Sequence, residues 1–447
     1  MNKISATRFE TSSPTAPETM GVALLGCGTV GSGVAELLLR EDKRYAHRAG
    51  RPVELVGVGV RDLQRARSIP EDLLTTDLPK LVADPRVRIV VEALGGVEPA
   101  YSLIMSAIEQ GKHVVTANKE VIARFGHTIF PAARARGVAV HIEATVGGGI
   151  PIINAMKSSL AANRIHQVAG IINGTTNYIL TAMTAQGTSL PEALAEAQRL
   201  GYAEADPTAD VDAFDAAYKI AILASIFFDH RIAIDDVYRE GIADLTPADI
   251  AYARELGYVV KLLGVAKRES AGATEVLQVR VHPALIPQHH PLAPIDGVMN
   301  AIAVAGDSVG EVMFSGPGAG KMATASAVVG DILAIAAQPD TPARLLTCLH
   351  DGIGDIDPID SVVTKFYIRL LAHDEPGVIG IIGQVCGRAG ISIRSMVQKG
   401  ERDGLAEIVL VTHLVKEASM RRALADLGNQ PSIHSIGSVI RVEDLAA

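Results

Sequence analysis

The 447-residue chain has no tryptophan and only 8 Phe and 9 Tyr, so an aromatic-rich core is excluded. Its cores are expected from Ala, Val, Ile and Leu, which suits α/β layers with close helix-to-sheet contact. Three cysteines, Cys27, Cys348 and Cys386, lie far apart with no C-x-x-C pair. That usage excludes a disulfide framework and a cysteine zinc site, and it fits a reducing cytoplasm. No apolar run approaches the ~18 residues of a membrane span. Residues 1–18 lack the apolar stretch of a secretion signal and read as a disordered tail. Basic residues are in the minority, 41 Lys+Arg against 50 Asp+Glu, and the net charge of −9 with no basic run argues against nucleic-acid binding.

What is present is a hydrophobic share of 48% with 20% charged residues, the balance of a folded protein. At roughly 150 residues per domain, the length predicts about three domains. From Met20 the pattern runs strand, Gly-rich turn, helix, strand: MGVALLG, a helix through VAELLLR, then PVELVGVGV, RIVVEAL, KHVVTAN and VAVHIEA, with helices at Pro99–Gln110 and Glu120–Arg136. Short alternating units of this kind predict a parallel sheet with right-handed crossovers, an α/β domain over 19–150. The run Gly147-Gly148-Gly149-Ile150-Pro151 breaks the rhythm and marks a domain crossing. Residues 151–319 then read as helices, one beginning near Asp210, followed by strands such as YVVKLLGVAK and NAIAVAG, an α+β layer. A helix from Met322 to about Ala337 puts 320–338 back on the first domain. Residues 339–363 read as a linker, and 364–447 as a ferredoxin-like βαββαβ unit.

Gly26-Cys27-Gly28-Thr29-Val30-Gly31 stands directly between strand VALL and a helix. In a Rossmann-type turn, Gly26 permits the tight bend, Gly28 the approach of a pyrophosphate, and Gly31 close helix-to-strand packing. At the end of the second strand, Arg61 precedes Asp62, an order that favours the extra phosphate of NADP over NAD. The middle domain carries Glu204, Asp206, Asp210, Asp212 and Asp215, then Lys219. Asp215 and Lys219 are i,i+4 and share a helix face, and the apolar continuation IAILASIFF predicts that this helix is buried. A buried pair of that kind points to function. The carboxylates lack the Gly and Glu positions of a calcium loop, and the 13 His show no H-E-x-x-H spacing. Gly320-Lys321-Met322 lacks the Ser/Thr of a phosphate loop and is expected to open a helix near the cofactor. No cysteine lies in the middle domain, so the chemistry is expected to stop at alcohol and aldehyde instead of using a thiol nucleophile.

The phrases LLGCGTVGSGV, VVEALGG, GKHVVTANKE, EATVGGGIPII, NGTTNYIL, LGYAEADPTADVDAFDAAYKIAILA and GPGAGKMATASAVVGDI, in this order, resemble homoserine dehydrogenases from about Gly21 onward. The tail LLAHDEPGVIGIIGQVCGRAGISIRSMVQ looks like an ACT domain, a module that senses small molecules. The resemblance implies reversible reduction of aspartate 4-semialdehyde to L-homoserine with NADPH or NADH, on the route to threonine, methionine and isoleucine. It implies that Lys219 is the proton donor, with Lys119 as rival, and that Glu204 and Asp215 hold the substrate while Asp206 and Asp210 orient its ammonium. Thr116, Lys119, Gly201, Glu204 and Gly320 would lie at the nicotinamide end of the cofactor. Glu143 and the carbonyls of Val146, Gly148 and Ile150 would form a site for a monovalent cation, Na or K. Asp374 and Gly377 would hold an effector, with L-threonine the implied one, and the chain would form a homodimer or homotetramer. Two other readings stand beside this one: another ACT-bearing NAD(P) alcohol dehydrogenase, and an amino-acid sensor without turnover. The set Glu204, Asp215 and Lys219 argues against the sensor, which has no use for a proton donor.

Overall fold

The computed structural model describes residues 18–40, 43–65, 67–271, 274–339, 352–353, 356–402 and 404–445. The tail and Cys348 lie outside them, as does most of the stretch read as a linker. The N-terminal part runs β1 (Met20–Leu25), α1 (Thr29–Leu39), α2 (Lys43–Ala49), β2 (Val53–Gly59), β3 (Leu74–Thr75), α3 (Leu78–Ala83), β4 (Val87–Glu92), α4 (Ala100–Glu109), β5 (His113–Thr116), α5 (Lys119–Arg136) and β6 (Val140–His141). These strands form a parallel six-stranded sheet in the order β3-β2-β1-β4-β5-β6. The order reverses beside β1, so the carboxyl ends of β1 and β4 open a crevice where this fold binds dinucleotides. Buried Val, Ile, Leu and Ala fill the sheet on both faces, as helix-covered parallel strands require.

The middle part runs α6 (Ile152–Lys157), β7 (Ile165–Ile171), α7 (Gly174–Gln186), α8 (Leu190–Arg199), α9 (Thr208–Val211), α10 (Phe214–Phe228), β8 (His230–Arg231), β9 (Tyr238–Arg239), α11 (Pro247–Glu255), β10 (Tyr258–Ala271), β11 (Thr274–Pro287), β12 (Met299–Gly306) and β13 (Gly310–Pro317). Two sequence expectations need correction. The helix expected from Asp210 is two helices, because Ala213 adopts a left-handed conformation (φ 63°) and ends the single turn α9 before α10 begins. The block of helices is also interrupted by β7, which pairs with both β10 and β12 in the middle of the sheet. α10 is buried along almost its whole length, so its polar residues have been drawn into the interior.

α12 (Lys321–Ala337) packs against α1: a Cβ on Gly33 would stand 2.7 Å from the Lys321 carbonyl oxygen. Beyond it, β14 (Gly352–Ile353) pairs with β8. The C-terminal part is β15 (Val363–His373), α13 (Val378–Arg388), β16 (Ile393–Arg402), β17 (Leu405–Thr412), β18 (Val415–Lys416), α14 (Glu417–Gly428) and β19 (Ile433–Val442), the βαββαβ order with one short added strand. Its sheet is continuous with that of the middle part, because β19 lies parallel to β11 at Ala284↔Arg441 and Leu285↔Val442. Buried ion pairs reinforce the seam: Arg280 Nη2 with Glu443 Oε1 at 2.5 Å, and Arg369 Nε with Asp249 Oδ1 at 2.7 Å.

Candidate active site

The turn after β1 shows three glycines under different constraints. A Cβ on Gly26 would stand 2.5 Å from the Ala93 carbonyl oxygen, and one on Gly31 would stand 2.0 Å from that of Gly26. On Gly28 it would meet nothing within 4 Å. The outer glycines are therefore fixed by packing, while the middle one faces open space at the start of α1, where a dinucleotide's phosphates fit. Thr29, Ser32 and Lys321 line this groove, and Val30 lies in the first turn of α1. Arg61 lines an adjoining cavity of about 220 Å³ together with Arg65 and Arg67, two arginines that the sequence reading did not single out. Asp62 turns its carboxylate onto its own loop, accepting from the Gln64 N–H at 2.8 Å. These residues fit a nicotinamide dinucleotide.

At the carboxyl end of β4, Glu92 is fully buried. Its Oε2 accepts from the Thr116 hydroxyl at 2.5 Å and its Oε1 from the Leu94 N–H at 2.8 Å. Burial pushes this carboxyl up, against the pull of those donors. Asn118 caps α5 by accepting from the Val121 N–H, and the first residue of α5 is Lys119.

From there Lys119 reaches across to the middle part, where its Nζ lies 3.0 Å from Asp215 Oδ1. Lys219 Nζ donates to the other oxygen of Asp215 at 2.6 Å and to the Ile172 carbonyl at 2.9 Å. Both candidate proton donors therefore sit on one buried carboxylate. Burial alone would raise the Asp215 carboxyl, but the two ammonium groups overcome this and hold it well below the usual carboxylate range. The same pairing raises Lys119. Asn173, which caps α7, donates its amide to Asp215 Oδ2 at 2.9 Å and to Asp210 Oδ1 at 2.6 Å. The sequence reading missed Asn173, although an Asn followed by Gly-Thr-Thr is a helix-start signal.

The other predicted residues are less closely gathered. Asp206 is exposed, and its Oδ1 accepts from the Thr208 hydroxyl and N–H, holding the start of α9. Gly201 and Glu204 lie on the exposed loop after α8, which Thr175 ties to α7 by donating to the Tyr202 carbonyl at 2.7 Å. Gly320 precedes α12 at φ 126°.

The segment 143–150, buried except at Gly149, lies beside residues 317–320, the second crossing, through which the chain returns to pack α12 on α1. A Cβ on Gly148 would stand 2.5 Å from the Gly318 carbonyl oxygen, and the Gly149 N–H donates to Pro317, so the two interdomain crossings touch backbone to backbone. Glu143 Oε1 and Oε2 accept from the N–H groups of Ile153 and Asn154, and burial with nearby Asp331 pushes its carboxyl up to about 7. The Ile150 carbonyl accepts from the Ile152 N–H, whereas no hydrogen bond to the Val146 or Gly148 carbonyl is found among the described residues. The Glu143 carboxyl and the Val146 and Gly148 carbonyls, on one short segment, are oxygen groups of the kind a hard cation takes. In the C-terminal unit, Asp374 and Gly377 line a cavity of about 320 Å³ at the start of α13, with Gln398 and Ile408 opposite. Among the described residues, no helix is long and apolar enough to cross a membrane.

Fold and site are those of a nicotinamide-dependent oxidoreductase acting on an alcohol, joined to a ligand-sensing module. The NAD-binding domain of homoserine dehydrogenases matches residues 26–143, the homoserine dehydrogenase domain matches 151–333, and the ACT domain matches 366–431. A homoserine dehydrogenase of Synechocystis sp. is 50% identical over 432 residues, 95% of this chain and 99% of that protein. Among solved structures, a homoserine dehydrogenase from Thiobacillus denitrificans superposes with a TM-score of 0.91 at 44% identity, covering 96% of this chain and 99% of that one. A hyperthermophilic archaeal homoserine dehydrogenase mutant in complex with NADPH covers 70% of this chain and 97% of its own, with a TM-score of 0.60 and 26% identity. The chain belongs to the homoserine dehydrogenase family.

Proposed function

We propose that the enzyme interconverts L-aspartate 4-semialdehyde and L-homoserine in threonine, methionine and isoleucine synthesis, with NADP preferred over NAD. The observation that carries this reading is Asp215, one buried carboxylate with Lys219 on one oxygen and Lys119 on the other. The substrate has a fixed ammonium and a carbonyl oxygen that becomes an alkoxide, so it needs carboxylates at one end and a proton donor at the other. The nicotinamide, when bound, supplies or accepts the hydride. Lys219 has two of its three N–H donors committed, to Asp215 and the Ile172 carbonyl, which leaves the third for the reacting oxygen. Lys119 holds Asp215 from the cofactor side. Glu204 and Asp215 bind the substrate, and Asp206 and Asp210 orient its ammonium.

Arg61, Arg65 and Arg67 around one cavity support the NADP preference, and so does the engagement of Asp62 by its own loop. Glu143, Val146, Gly148 and Ile150 would hold a Na or K ion and brace the touching crossings. L-threonine is the proposed effector at Asp374 and Gly377, and a cytoplasmic homodimer or homotetramer the proposed form. Purified protein with homoserine and each cofactor, followed at the nicotinamide absorbance band with and without L-threonine, tests the reading. Reduction of NADP faster than NAD, slowed by threonine, is expected, and silence with homoserine overturns it.

A further inference from the structure

Lys119 and Thr116 belong to one short turn between β5 and α5, and that turn rests on a group the proposed chemistry does not use. The Glu92 carboxyl takes the Thr116 hydroxyl on Oε2, while its Oε1 takes the Leu94 N–H and lies 3.5 Å from the Asn118 amide nitrogen. Asn118 closes the arrangement: its N–H donates to Thr116 Oγ1 at 3.0 Å, and its side-chain amide donates to the Gly96 carbonyl at 2.7 Å. Glu92, Thr116 and Asn118 are all buried, so these bonds are sheltered from water. The residue that follows Asn118 is Lys119, whose side chain is far more open and whose reach to Asp215 depends on where the turn places its Cα. A single buried acid at the end of β4 thus ties the β4 and β5 loops together at the base of Lys119.

We propose that Glu92 is a positioning residue for the reaction, fixing the Thr116–Lys119 turn so that the Lys119 ammonium is held on Asp215 opposite Lys219. The inference rests on the reading of Lys119, Asp215 and Lys219 as the reacting cluster. Glu92 is fully buried, and its bonds to Thr116, Leu94 and Asn118 include none to Asp215 or to either lysine. Its effect passes through Lys119, and this separates it from a residue that only stabilises the fold.

The test is a cycle of Glu92→Gln, Lys119→Ala and the double variant, with kcat, KM, the affinity for NADPH by fluorescence titration, and the thermal midpoint measured for each. Glu92→Gln keeps the shape and so keeps the fold. Its kcat is expected to fall roughly 10- to 100-fold, as misplacement of a reacting group does. NADPH affinity should change by less than about threefold. In the Lys119→Ala background the same substitution should cost less than about threefold more, because residues that act through one another are not additive. Wild-type kcat in Glu92→Gln, or losses that multiply in the double variant, would overturn the proposal while leaving the cluster standing. Wild-type kinetics in Lys119→Ala would refute the part given to Lys119 in the cluster, and the proposal with it.

Discussion

Replacing Lys219 by methionine keeps the stem of the side chain and removes only its ammonium. In the fold the Lys219 side chain is 12% exposed and its ammonium is bonded to Asp215 and the Ile172 carbonyl, whereas the Lys119 side chain is 39% exposed with one bond to the same acid. The better-fixed lysine is the one whose remaining donor has a defined direction, so Lys219→Met should lower kcat by about 10²–10⁴-fold. At 1.36 kcal/mol per tenfold, this corresponds to about 3–5 kcal/mol of transition-state stabilisation. Stability should fall less. Asp215 keeps Lys119 and Asn173, and losing one charge-assisted hydrogen bond costs about 1.5–3 kcal/mol. Lys219 lines neither the cavity at the Gly-rich turn nor that of Arg61, where most of the cofactor's contacts are expected, so NADPH affinity should change by less than about threefold. Steady-state absorbance with saturating homoserine and NADP gives kcat, a fluorescence titration gives NADPH affinity, and a urea melt gives stability. Turnover within about threefold of the parent in Lys219→Met, together with collapse in Lys119→Met, would refute the reasoning and move proton transfer to Lys119.

Arg61→Ala should raise the KM for NADPH more than that for NADH, and equal changes in steady-state kinetics would remove the phosphate contact from this arginine. Arg369→Ala leaves Asp249 and Glu407 buried without their shared cation, so urea unfolding should show a loss of about 3–5 kcal/mol. A loss under 1 kcal/mol would mean that the seam draws little from the pair. Burial alone would raise Asp249 and Glu443, yet Arg369 and Arg280 hold both below the usual range. Their contribution is therefore complete above the unfolded carboxylate values, about pH 4, and is lost as the pH falls further. Urea midpoints measured from pH 6 to pH 3 should drop in the lower half of that window, and a flat profile would sink the assignment.

The Rossmann-type sheet was legible because parallel strands between helices read as apolar runs, and because the turn after β1 carries its glycines at spacings that backbone contact enforces. The Asp215–Lys219 pair was legible because a helix converts a spacing of four into adjacency. Residues joined across the chain were not. Asn173 meets Asp215 over 42 positions, and Glu92 meets Thr116 over 24, so neither contact leaves a local pattern. The split before α10 was hidden for another reason, since Ala213 takes a conformation that sequence assigns to glycine or asparagine. Arg65 and Arg67 looked like loop charges until folding turned them onto the cavity of Arg61.

The pairing of β11 with β19 was equally invisible, because nothing local tells a strand which edge it will meet. Yet that pairing decides how the C-terminal unit can influence the rest. A unit on a free tether could act by swinging, but here its sheet is one with that of the middle part. Arg369, on the strand that ends at the Asp374–Gly377 cavity, is bonded to Asp249, and Asp249 accepts the Thr246 N–H and hydroxyl at the start of α11. α11 lies against α7, and α7 begins at the Asn173 cap that holds Asp215. A change at the cavity therefore has to travel as displacement of packed elements and buried ion pairs, not as rotation of a loose domain. The route ends at the carboxylate that both lysines share, where, on the proposed roles of Asp215 and the lysines, a small shift would bear on substrate binding and proton transfer together.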